Sequence, residues 1–113
     1  MTQAEIADLI EQGYKHPQVR EEHGYFFFQT GQRTADDKPI FLCNALGAAF
    51  VAHYGLETAW QRWSEFAGSA TDLLRDEMKL PWMLISHVFH DHNSTEGSLN
   101  LVLAKLRANQ YRE

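Results

Sequence analysis

The run His87-Val88-Phe89-His90-Asp91-His92-Asn93 gathers three of the six histidines of the chain around one aspartate. Imidazole and carboxylate are ligands that zinc, iron and manganese accept. At about 100° per residue on a helix, His87, His90 and Asp91 share the polar face, while His92 falls beside Ile85 and Phe89 on the apolar one. His87, His90 and Asp91, joined by His53, are therefore the candidate divalent-metal set. The competing reading is a solvated helix end. There His90 and His92 offset the negative end of the helix dipole, and Asp91 or Asn93 opens the following turn. The second reading takes precedence, because short motif matches arise by chance. No cofactor is expected, with a divalent metal as the alternative.

Cys43 is the only cysteine and stands at the expected junction between a strand and a helix. A thiolate at a helix N-terminus is favoured by the dipole, and several cysteine hydrolases arm their nucleophile in this way. His90 is the base assigned to it, although His87, His92 and His23 are equally available. The plainer reading makes Cys43 a small buried hydrophobe beside Leu42, Ala45 and Leu46. Tyr25, Phe27, Trp60, Trp63 and Trp82 form a third set, able to line a partner surface. The helical spacing of the tryptophans fits core packing as well.

Composition bounds these options. With 113 residues and 44% hydrophobic content, residues 1–113 are read as one globular domain with one core. A net charge of −5 without a long run of either sign disfavours binding to nucleic acid or to an anionic membrane. One cysteine permits no intrachain disulfide and no cysteine-rich zinc site. The N-terminal residues lack the basic-then-apolar layout of a secretory signal, and no apolar run approaches the ~20 residues that span a bilayer. The cytoplasm is the expected compartment.

The elements that must position the candidate residues follow from punctuation and period. Thr2 and Glu5 form a capping-box pattern, and Ile6, Leu9, Ile10 and Tyr14 share a face, predicting a helix over 3–13. Two β-type runs, Tyr25–Thr30 and Ile40–Leu42, flank a turn at Ala35-Asp36-Asp37-Lys38-Pro39. They predict one small hairpin over about 25–42. A buried helix is expected from Asn44 to Tyr54, stopped by Gly55. Leu56 to Gly68 continues as a helix, and Thr71 caps the next. Pro81 sits in the first turn of another, and the last begins near Ser94 or Thr95 and ends near Ala108. The expected fold is mainly α: a compact bundle of five or six helices with one small hairpin.

Two resemblances bear on these residues. His53, followed much later by His90-Asp91, is similar to the metal-dependent HD phosphohydrolases. The further aspartate of that family has no counterpart, since no Asp follows Asp91. Gly24-Tyr25, then Ala35-Asp36-Asp37-Lys38-Pro39, then Cys43-Asn44-Ala45-Leu46-Gly47-Ala48, resembles a loose bacterial and phage family. In that family a glycine-aromatic start and an aspartate-rich turn precede a Cys-Ala-Leu-Gly-Ala helix. Its later Asn-Asp element and last helix are echoed by Asp91 to Asn93 and Leu99 to Leu106. Here Asn44 is inserted after the cysteine, and His90-Asp91-His92-Asn93 stands for the family's Trp-Asn-Asp element. The resemblance implies a hairpin followed by a buried helix and brings no activity.

No constellation combines nucleophile, base and orienting group at fixed spacing. The expected function is therefore a protein-binding or regulatory module without catalysis, meeting a protein partner or itself. The alternatives are a cysteine-histidine hydrolase or transferase using Cys43, and a metal-binding protein.

Overall fold

The computed structural model describes residues 1–94 and 98–113. Helix α1 (Gln3–Tyr14) opens on the expected capping box: the Thr2 hydroxyl accepts from the Glu5 N–H, and the Glu5 carboxylate accepts from the Thr2 N–H. Its apolar edge of Ile6, Ala7 and Ile10 is fully buried. Helix α2 (Ala45–Tyr54) is the central rod, buried on every side from Ala45 to Val51. The Asn44 side chain accepts from the Gly47 N–H at 2.9 Å, and Gly55, at φ 84°, ends the helix. Phe50 packs fully buried between Phe26 and Tyr54, a burial that stabilises by about 1.5–3 kcal/mol.

Helices α3 (Leu56–Glu65), α4 (Ala70–Met78), α5 (Trp82–Asn93) and α6 (Ser98–Arg107) bring the helices among the described residues to six, in accord with the mainly α expectation. Helix α3 ends at Glu65 rather than Gly68, and three helix ends are capped differently from the sequence reading. Helix α4 is capped by Ser69, whose hydroxyl accepts from the Asp72 N–H, rather than by Thr71. Pro81 is the N-cap of α5 rather than part of its first turn. Ser94 closes α5 instead of opening the last helix, and Thr95 lies outside the described residues.

The expected hairpin forms with shifted bounds, and the sheet it belongs to is larger than expected. The hairpin's arms are β2 (Phe27–Arg33) and β3 (Pro39–Cys43), so Tyr25 and Phe26 precede the strand. A further strand, β1 (Val19–Glu21), pairs parallel to β3 and makes a three-stranded sheet of order β1-β3-β2. Register pairs Val19 with Phe41 and Glu21 with Cys43, while Phe27 lies opposite Cys43. Alternation puts these residues on the inner face, toward the helices, and puts Arg20, Phe28, Ile40 and Leu42 on the outer one. Val19, Phe27, Phe41 and Cys43 belong to the core, whereas on the outer face Ile40 is buried and Phe28 and Leu42 are half-buried.

The two ends of the chain are joined. The Gln3 amide donates to the Tyr111 carbonyl at 2.8 Å and accepts from the Tyr111 N–H at 3.1 Å. Among the described residues no helix is long and apolar enough to cross a membrane.

Candidate functional site

The most concentrated polar chemistry gathers where β1 ends, α2 begins and α5 closes. The parallel register sets Glu21 beside Cys43 at the ends of β1 and β3, directly before the first turn of α2. His92, on the last turn of α5, is fully buried. Helical spacing had placed it on the apolar side, and the structure agrees.

A backbone group fixes the tautomer of His92. The first N–H groups of a helix lack intrahelical acceptors; that of Ala45 donates to His92 Nδ1 at 2.9 Å. The proton of the neutral ring must then sit on Nε2, which donates to Glu21 Oε2 at 3.0 Å. Burial pushes the pKa of His92 below its ordinary value, and the hydrogen bond that His92 donates to Glu21 opposes this without prevailing. His92 is thus a neutral, doubly engaged ring. A general base needs a free nitrogen lone pair, and His92 offers none.

His23 completes the cluster. Its ring stacks on His92 with centroids 4.6 Å apart and planes 29° from parallel. His23 Nδ1 lies 2.8 Å from the His92 carbonyl oxygen, and Nε2 lies 2.8 Å from Glu21 Oε2. The Ser98 hydroxyl donates to the same carbonyl at 2.7 Å. Among the described residues, Glu21, His23 and His92 form a group of metal-ligating types whose ligand atoms all lie within 4.8 Å of one another.

The histidines and the aspartate singled out from sequence occupy other places. His87 and His90 are exposed. Asp91 accepts from Lys105 at 2.8 Å and from the Tyr111 hydroxyl at 2.7 Å. Burial works against its charge, but these two hydrogen bonds outweigh it and hold the carboxyl below its ordinary range. His53 stacks edge-on against Tyr54, exposed beside the N-terminal helix. Among the described residues, the metal-ligating group brought together is therefore built on Glu21 and His23 with His92, rather than on His87, His90 and Asp91.

Cys43 is fully buried, and burial pushes its thiol pKa strongly upward. Its carbonyl accepts from the Tyr14 hydroxyl and the Glu22 N–H, both at 2.9 Å. No hydrogen bond among the described residues joins it to His90 or to another histidine. The thiolate is the reactive form, so Cys43 is expected to resist iodoacetamide in the native protein and to react completely once unfolded. Mass spectrometry of alkylated native protein checks this.

The aromatic set divides. Phe27 is buried in the core. Trp60 meets Phe27 and Phe41 edge-on, and Trp63 donates from Nε1 to the Phe27 carbonyl at 2.8 Å, so both clamp α3 to the sheet. Trp60 keeps one wall of an open groove of about 500 Å³, shared with His16, Gln18, Phe41 and Leu56. Tyr25 and Trp82 are exposed, by 63% and 57%. Tyr25 stands edge-on to Phe28. No protein-family model, curated protein or solved structure matches the chain.

Proposed function

We propose that this chain is a small cytoplasmic protein-binding module without catalytic activity, and that it pairs with a second copy through the outer face of its sheet. The reading is supported by Phe28 and Leu42, half-buried apolar residues on that face, extended by the exposed ring of Tyr25. An exposed apolar patch marks an interaction surface. The rim favours a self-complementary partner. Arg20 and Glu22 lie two residues apart on one edge, so a two-fold axis through the strip sets each opposite the unlike charge.

The size of the face determines the strength of pairing. Three strands at ~4.8 Å by five residues at ~3.4 Å cover roughly 240 Å². That is well short of the ~800 Å² per partner of a standard interface. The dimer is accordingly weak and concentration-dependent. Sedimentation velocity from micromolar to millimolar protein is expected to show a monomer–dimer equilibrium. Leu42→Asp, on the outer face, abolishes the dimer while preserving the circular dichroism spectrum. A wild-type protein that stays monomeric throughout that range overturns the reading.

A further inference from the structure

The Glu21–His23 contact leaves one charge unaccounted for. The acceptor facing His23 Nδ1 is a carbonyl oxygen, which has no proton to offer, so Nδ1 carries the hydrogen. In the neutral ring Nε2 then presents a lone pair. It faces Glu21 Oε2 at 2.8 Å, and an ionised carboxylate is likewise only an acceptor. Two lone pairs at that distance repel unless a positive charge lies between them. A proton can supply it, and so can a metal ion.

The surroundings are arranged as the outer shell of a metal site. Histidine ligands commonly bind through one nitrogen while the other donates to a backbone carbonyl, which fixes tautomer and ring angle; His23 Nδ1 does this with the His92 carbonyl. Ligating carboxylates are themselves hydrogen-bonded; His92 Nε2 donates to Glu21 Oε2. His92 is not a ligand. Binding through Nε2 would move its proton to Nδ1, against the Ala45 N–H. Both ligand side chains are open to solvent, 41% exposed for His23 and 35% for Glu21, so an ion and its waters have access.

We propose that His23 Nε2 and a carboxylate oxygen of Glu21 bind a divalent transition-metal ion, with His92 as the outer-shell donor and water filling the remaining positions. One imidazole and one carboxylate suit zinc or its neighbours rather than calcium or magnesium, which take oxygen ligands. Ligands about 2.0–2.2 Å from tetrahedral zinc are about 3.3–3.5 Å apart. Opening the observed 2.8 Å pair by about 0.5–0.7 Å, within reach of two partly exposed side chains, therefore admits the ion.

The test is a titration of the full chain with zinc sulfate, followed by isothermal calorimetry and by NMR of the imidazole resonances. Saturable binding of one ion is expected, with the largest shift at His23. Affinity should fall at least about tenfold in His23→Gln and stay unchanged in the double variant His87→Gln/His90→Gln. His23 is partly exposed and its loss leaves the core intact, and Glu21→Gln gives a second variant that removes ligand charge with little change in shape. The proposal is overturned by an absence of saturable binding, by binding that survives His23→Gln, or by binding that follows His87 and His90.

Discussion

Gly13→Ala and Gly47→Ala each lower the melting temperature by about 10 °C, although both substitutions put a better helix former inside a helix. Propensity alone gives a gain of about 1 kcal/mol. Packing opposes it. A Cβ at Gly13 would stand 2.0 Å from the Ala48 carbonyl oxygen and 2.6 Å from its carbon, and one at Gly47 would stand 2.0 Å from the Phe26 carbonyl oxygen. Both obstacles are backbone, which cannot rotate aside as a side chain can. The Phe26 carbonyl is also held by the Asn44 N–H, and Ala48 lies inside the central helix. Overpacking of this kind costs about 1–3 kcal/mol and sometimes more, and a domain of this size loses about 4 °C per kcal/mol. Gly31→Ala is the control, since nothing lies within 4 Å of its added Cβ, and it leaves the melting temperature unchanged. Thermal denaturation of the three variants decides whether close helix approach outweighs propensity.

The second large effect is at His92. His92→Leu keeps the bulk of the ring and removes both of its hydrogen bonds, leaving the buried Ala45 N–H without an acceptor. An unpaired buried donor costs about 1–3 kcal/mol, so a loss near 10 °C is expected here too. The pH dependence distinguishes this from a packing defect. The pKa of native His92 lies below 6.5, so as pH falls the unfolded chain takes up the proton first. The contribution of His92 to stability is therefore complete above pH 6.5 and declines below it. Denaturant unfolding across pH 5–8 should show a steeper acid loss for wild type than for His92→Leu. Some slope remains in the variant, because burial, with help from Lys38, also lowers the pKa of His16. Equal slopes in the two proteins would rule out a neutral, buried His92.

Much of the fold was legible wherever the determinant is local. The capping box of Thr2 and Glu5, the glycine stop at Gly55 and the small-apolar run after Asn44 are decisions made within a few residues. Ser69 prevailed over Thr71 in a contest that is also local, since both can cap and only one reaches a free N–H in the first turn. Strand β1 was not legible. Val19-Arg20-Glu21 contains one apolar residue, and what makes it a strand is pairing with residues more than twenty positions later.

The site shared that fate. Spacing correctly sets His92 apart from His87, His90 and Asp91, and so leaves it out of the candidate metal set. A histidine on an apolar helix face requires buried polar partners, and that requirement was the available clue. It points to partners without naming them. Glu21 and His23 lie in a stretch without period, and only the parallel strand and the start of α2 bring them to His92.

The clasp of Gln3 on Tyr111 makes the chain nearly circular. Two hydrogen bonds close a span of 108 residues, so α1 and the segment after α6 are spatial neighbours and the arrangement of the described helices around the core does not depend on where the polypeptide is opened. A short linker across the clasp, with a new opening at the exposed Asp36-Asp37 turn, would therefore rearrange the sequence while leaving every helix contact in place.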